Sequence, residues 1–416
     1  MSLKYNTQKF IYECIDCGKQ FDSNETIYLC PKCSKENIDS RPPKGVLRIV
    51  YNFFDILQKN FLFKDFKKNN FLDLLPINKI ESLPKLKVGN TPLYEFDQLD
   101  NNELPFRLFF KDDSQNPTFS FKDRASSIVS AYAKEKGFET IVTASTGNAG
   151  SSLAGICAAQ GQKAIIIVPE TAPLAKLTQI IMYGATIVPV KGTYDDAFDL
   201  SIKASKEFGW YNRNTAFNPL TVEGKKTVSF EIFDQLGETI PDRIFVPVGD
   251  GVIISGVYKG FEDLLNLKLI DKIPTIVAVQ SSESDNLTRN IKNKEFEIIP
   301  STTAADSISV DIPRNFNMTK QFIQKYNGEY LSVSDNAILE ASAILSRNTG
   351  IFSELAAASS FAGILKYSEE NKLDKNSINV VLLTGSGLKD INSVQKILNI
   401  PKAIQPTIEN LKKIIS

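Results

Sequence analysis

Four cysteines and one lysine carry most of the chemistry that residue type and spacing offer. Cys14, Cys17, Cys30 and Cys33 read C-x2-C-x12-C-x2-C. Each CxxC turn can turn two thiolates toward one tetrahedral Zn²⁺. Gly18, just after the first pair, suits such a turn. Disulfides are the competing reading. The opening MSLKYNTQKF has no apolar secretory core, which argues for a reducing, cytoplasmic setting and for metal. The chain of 416 residues contains no histidine, so the zinc site is expected to be all-cysteine, closed and structural. The same absence removes every mechanism that needs an imidazole, and leaves acid–base work to Lys, carboxylates, Tyr, Cys or a cofactor. The fifth cysteine, Cys157, lies in the apolar run SSLAGICAA and reads as a buried spectator.

The lysine is Lys122. Ser120 with Asp123 three residues later resembles a capping box, which puts Lys122 in the first turn of a helix. The macrodipole there disfavours a cation. A surface lysine bending into water is the bland reading; the sharper one is an amine whose pKa dipole and burial lower, able to form a Schiff base. Three other segments share this strand-end character: Ser145-Thr146-Gly147-Asn148, Gly249-Asp250-Gly251 and Thr384-Gly385-Ser386-Gly387. Each alone is an ordinary glycine turn. Together they offer an amine, an amide for a ring oxygen, a phosphate cradle and a hydroxyl for a ring nitrogen, the needs of pyridoxal phosphate (PLP). Asp250 is expected to shape its loop and cap the following helix, with its carboxylate turned from the phosphate.

Positioning such parts takes an alternating architecture. RLFFKDD, ETIVTAS, KAIIIVP, TIVPV, RIFVPVG, PTIVAVQS and NVVLLTG read as strands, separated by helical stretches at 120–136 and in NAGSSLAGICAAQ, PLAKLTQIIMYG, YDDAFDLSIKASKEFG, IISGVYKGFEDLL, DNAILEASAILSRN and ELAAASSFAGILKYSEE. Short continuous apolar strands between helices predict buried parallel sheets in an α/β fold. Ligands in such folds bind beyond the carboxyl ends of the strands. Arg41-Pro42-Pro43 reads as a linker after a cysteine module at 8–38. Neither the dinucleotide nor the P-loop glycine pattern is present. Lys+Arg and Asp+Glu both number 48, so no nucleic-acid partner is expected. No apolar run approaches the ~20 residues of a membrane span.

NPTFSFKDR resembles the PLP-lysine motif of threonine synthases, which usually reads NPTGSFKDR or NPSASFKDR. STGNAGSS, VPETAPLAK, GTYDDAFD, YNRNTAFNPLTVEGKKTVSFEI, PVGDGVIISGVYKGF, ADSISVDIPRN and TGSGLKD are similar to the same family in matching order over about residues 85–390. The cysteine head is similar to that of many microbial members. The resemblance implies a fold type II PLP enzyme, tryptophan synthase beta-like, with two parallel-sheet α/β domains and the zinc ribbon. The large domain would span 44–130 and 236–416, the smaller one 131–235. It implies Lys122 as the aldimine lysine and Asn148 as the ring-oxygen partner. Gly249, Asp250, Gly251, Val252 and Ile253 would form the phosphate loop, and Thr384 would meet the ring nitrogen. Phe119 stands where the family has a small residue, and Val252 where it often has Asn.

The implied reaction turns O-phospho-L-homoserine and water into L-threonine and phosphate. Lys111, Ser145, Thr146, Asn218, Lys225 and Lys226 are the candidates for holding substrate, with solvated helix faces as the alternative for the lysines. A related PLP lyase, a threonine or serine dehydratase or a cysteate synthase, stays open. So does a zinc-ribbon binding module on an inactive scaffold, which intact Lys122, Asn148 and Thr384 argue against. The zinc head is expected to be dispensable for the chemistry. A homodimer is the assembly left open.

Overall fold

A computed structural model describes residues 8–395, 398 and 401–415. Its largest sheet has six strands, in the order Glu329–Val333, Thr275–Ser281, Arg243–Pro247, Ile378–Leu383, Asn102–Asp112 and Leu93–Leu99. The first five run parallel, and Leu93–Leu99 closes the edge as an antiparallel partner of Asn102–Asp112. Ile244, Phe245, Val246, Val380, Val381 and Leu382 are fully buried. That explains why these strands are apolar on both faces, with helices covering each side. Three neighbours in this sheet matter most. Arg243–Pro247, Ile378–Leu383 and Asn102–Asp112 are side by side and parallel, so the segments that follow them emerge at one edge.

A second, four-stranded parallel sheet has the order Thr186–Val190, Lys163–Pro169, Thr140–Ala144 and Tyr211–Asn212. The segments after Thr140–Ala144 and Tyr211–Asn212 are therefore neighbours too. Arg213 N–H extends the pairing to Val142 O at 2.8 Å, and Asn214 Oδ1 accepts from Ala144 N–H at 2.8 Å.

All seven expected strands are present. In these two sheets, three strands go beyond the expectation: Leu93–Leu99, Tyr211–Asn212 and Glu329–Val333. Two are half-buried edge strands without an unbroken apolar run, and the third is two residues long.

The cysteine head is a three-stranded antiparallel sheet with Phe10–Cys14 between Gln20–Asp22 and Leu47–Tyr51. The module expected at 8–38 thus extends past the prolines, because Leu47–Tyr51 returns to pair with the first strand. Nor is it a separate bead. Tyr12, Ile49 and Tyr51 share one apolar core with Tyr132 and Phe230 of the body. Lys9 Nζ donates to Leu72 O at 2.6 Å and to Ile77 O at 2.5 Å.

Candidate active site

The loop that delivers Lys122 hangs from the end of the neighbouring strand. Phe121 N–H donates to Thr384 O at 2.9 Å, and Ser386 N–H donates to Phe119 O at 3.1 Å. The helix Lys122–Glu135 starts there, but the expected capping box is not what closes it. Asp123 reaches back past Ser120 to Thr118, accepting from its N–H at 2.7 Å and its hydroxyl at 2.6 Å. Ser120 Oγ accepts from Lys122 N–H at 3.2 Å. Phe119 holds a left-handed backbone, with φ of 65°, a conformation that a bulky side chain adopts at a cost. The short hydrogen-bonded loop imposes it.

Lys122 makes no side-chain hydrogen bond or ion pair among the described residues. Desolvation lowers its pKa, with the Arg213 guanidinium adding to that, while Glu354 and Asp250 oppose it. Across the cleft, Asn148 is the first residue of the helix Asn148–Gln160 and is buried. Its Nδ2 donates to Glu354 Oε2 at 2.9 Å. Thr384 is also buried, and its hydroxyl has no protein partner among the described residues.

The glycine turn precedes the helix Val252–Asn266. The N–H groups of Gly249, Asp250, Gly251, Val252 and Ile253 make no hydrogen bond to protein among the described residues. Five free donors at a helix start form an anion cradle. Behind the turn there is no room for side chains. A Cβ on Gly251, whose φ is +85°, would lie 2.3 Å from Thr319 Oγ1, and one on Gly249 would lie 3.0 Å from Ile308 Cα. Asp250 does not cap the helix. Its Oδ1 accepts from Arg314 N–H at 3.2 Å and its carbonyl from Asn315 N–H at 3.0 Å, so it ties the turn to the next loop.

The substrate candidates divide. Lys225 is buried in the site. Its pKa is well below the usual lysine value through desolvation, helped by the Arg213 and Lys122 cations, and its one bond is to Thr221 O at 3.3 Å. Ser145 and Thr146 sit at the strand end that faces the cleft. Ser145 Oγ accepts from Gly147 N–H at 3.3 Å, and the Thr146 hydroxyl has no protein partner among the described residues.

Lys111, Lys226 and Asn218 have structural tasks instead. Lys111 Nζ spends its donors on Thr91 O at 2.7 Å, Glu231 Oε2 at 2.7 Å and Gln235 Oε1 at 2.8 Å. Lys226 pairs with Glu223 at 2.5 Å and Asp263 at 2.6 Å and lies over the Tyr51 ring. Asn218 bonds Asn212 O and Leu220 N–H, holding its own loop. Lys225 ends the helix Leu220–Lys225 and Lys226 caps it, so the adjacent lysines meet different partners, a distinction invisible in the string GKK.

Two residues of the site were not singled out from sequence. Arg213 is fully buried, desolvation pushes its pKa down to about 10, and its Nη2 has no hydrogen-bond partner. An orphaned guanidinium nitrogen beside Lys122 and Lys225, with no carboxylate paired to any of the three, suits an anionic ligand. The signal available was a lone Arg between two Asn in YNRN. The other residue is Glu354.

A buried unpaired lysine, five free N–H groups, a free hydroxyl and a guanidinium with one unpartnered nitrogen fit a phosphorylated pyridine aldehyde. Residues 85–385 match the family of pyridoxal-phosphate dependent enzymes. The chain is 35% identical to a threonine synthase of Methanocaldococcus jannaschii, over 97% of this chain and 99% of that one. It is 32% identical to a threonine synthase of Methanosarcina acetivorans, over 97% and 98%. The fold is that of the solved structure of maize serine racemase, with a TM-score of 0.63 and 23% identity over 74% of this chain and 91% of that one. The chain belongs to the pyridoxal-phosphate dependent enzymes of fold type II. Within them, it is a member of the threonine synthase family.

The four head cysteines also converge. Their Sγ atoms lie within 4.8 Å of one another, and Cys17 Sγ is 3.8 Å from Cys30 Sγ. Tetrahedral zinc with Zn–S of about 2.3 Å needs sulfurs about 3.8 Å apart. All five cysteines are free, and burial pushes the Cys157 thiol up to about 12, as an inert spectator requires. No helix among the described residues is long and apolar enough to cross a membrane.

Proposed function

We propose that this chain converts O-phospho-L-homoserine and water to L-threonine and phosphate, with Lys122 as the cofactor-bearing lysine and proton carrier. The observation that carries the reading is the unpaired cation cluster of Lys122, Lys225 and Arg213 beside the empty-handed donors at 249–253. Two anionic groups need holding in this reaction, the cofactor phosphate and the substrate phosphate, and the site offers two separate donor sets. In this reading Gly249, Asp250, Gly251, Val252 and Ile253 hold the cofactor phosphate by backbone N–H. Asn148 meets its ring oxygen and Thr384 its ring nitrogen. Lys225 and Arg213, with Ser145 and Thr146, hold the substrate phosphate.

When bound, the cofactor supplies an electron sink that acidifies the substrate Cα–H. Lys122 takes that proton and later serves Cβ, an exchange favoured by the burial that lowers its pKa. Arg213 and Lys225 neutralise the phosphate that leaves from Cγ, and water adds at Cβ. A dehydratase on an unphosphorylated substrate would leave a buried guanidinium without an anion, so this cluster favours the synthase.

Cys14, Cys17, Cys30 and Cys33 would hold one structural Zn²⁺. Free thiols accord with a cytoplasmic setting, and light scattering tests for a homodimer.

The deciding experiment reduces the loaded protein with borohydride and maps the pyridoxyl peptide. The adduct is expected on Lys122, and Lys122→Ala is expected to lose the visible band and several orders of magnitude in turnover. An adduct on another lysine overturns the assignment.

A further inference from the structure

Glu354 begins the helix Leu355–Glu369, one strand end away from Thr384, and is buried with no ion-pair partner among the described residues. A carboxyl in that state is costly to keep unless it does something. Its contacts say what. Asn148 Nδ2 lies 2.9 Å from Oε2 and 3.2 Å from Oε1, and Ser307 Oγ donates to Oε2 at 3.2 Å. Both oxygens therefore accept. The amide must present its nitrogen end to them, because its carbonyl end would be repelled. The backbone has been cleared to allow this approach. A Cβ on Gly385 would lie 2.4 Å from Glu354 Oε1. The Glu354 N–H donates to Gly385 O at 3.0 Å, which registers the carboxyl against the Thr384 strand end. Burial raises the Glu354 pKa, while the Asn148 amide and the Lys122 ammonium act in the other direction.

We propose that Glu354 is a positioning residue for the cofactor, holding the Asn148 amide in the single orientation that offers an N–H to the pyridine ring oxygen. This rests on the reading of Lys122 and Asn148 given above. An amide free to flip would present its carbonyl half the time, and a carbonyl repels a phenolate oxygen. Glu354 then acts on the cofactor only through Asn148.

The test is a double-mutant cycle read by PLP binding to apoprotein, using fluorescence titration, and by the ratio of the two visible tautomer bands of the loaded protein. Glu354→Ala is expected to weaken PLP binding about tenfold, the value of one hydrogen bond to a charged group. It is also expected to shift the band ratio. Asn148→Ala combined with Glu354→Ala is expected to be no worse than Asn148→Ala alone. Glu354→Gln keeps a carbonyl acceptor for Nδ2, and is expected to restore affinity to within about threefold. Additive losses in the cycle, an unchanged band ratio, or a Glu354→Gln variant as weak as Glu354→Ala overturns the proposal. Wild-type protein without a borohydride-reducible band on Lys122 overturns both this and the reading beneath it. A normal Lys122 adduct with no coupling sinks Glu354 alone.

Discussion

The hydroxyl of Tyr51 donates to Glu223 Oε2 at 2.7 Å, joining the last strand of the cysteine head to the helix Leu220–Lys225 that carries Lys225 into the site. Lys226, the next residue, pairs with the same Glu223 and lies 4.1 Å from the centroid of the Tyr51 ring. The head is thus a buttress behind one wall of the cleft. Tyr51→Phe keeps the ring and removes one hydrogen bond to a buried carboxylate. The expected loss is about 1.5–3 kcal/mol of stability. Thermal unfolding should show it, with kcat per folded molecule unchanged at low temperature.

Zinc removal acts at the same joint. Metal analysis should find one zinc per chain. Chelation under mild denaturation should lower the melting temperature, because four thiols left without metal loosen Cys14, which ends the strand paired with Leu47–Tyr51, and Cys30, whose N–H donates to Gly45 O at 2.8 Å just before that strand. Turnover should survive as long as the body stays folded and PLP-loaded. A melting temperature indifferent to zinc would refute the structural role.

Arg213→Met tests the anion cluster. The guanidinium contacts no carboxylate among the described residues and donates only to the Ser126 and Thr215 hydroxyls, so the fold should tolerate its loss. The kcat/KM for a phosphorylated substrate should fall about 100-fold or more, the worth of a charged contact in a desolvated site. PLP affinity should stay within a few-fold. A variant that binds substrate normally but loses the cofactor would place Arg213 in the other phosphate site.

Acid stability should depend on Glu231. The Arg124 and Lys111 cations hold its carboxyl far below the usual range against the opposing effect of burial. A folded pKa below the unfolded one, about 4.3 for Glu, contributes stability that is complete above that value and is lost as pH falls through and below it. Wild-type stability should therefore drop steeply below about pH 4. Glu231→Gln should flatten that limb while costing about 3–5 kcal/mol at neutral pH, because Lys111 loses its anion and Arg124 keeps only Asp113. Denaturant melts across pH give the slope, and an unchanged acid limb would contradict the argument.

The sequence by itself determined the local parts. Short apolar runs between helical stretches read as buried parallel strands, and CxxC spacing brings cysteines together in pairs. A lysine between Ser120 and Asp123 falls at a helix start whichever side chain closes the turn. Even Thr118, and not Ser120, as the partner of Asp123 changes the cap without moving Lys122. What only the tertiary structure decided is which side chains share the cleft. Lys225 and Lys226 are neighbours in the chain, yet one faces Arg213 and the other Asp263. Strand order puts the ends after residues 112, 247 and 383 together, and no local signal encodes strand order. Glu354 lies 206 residues from Asn148, so their contact is a property of packing alone. Periodicity and turn chemistry act over a few residues, whereas a site built at the edges of two sheets is assembled by long-range burial.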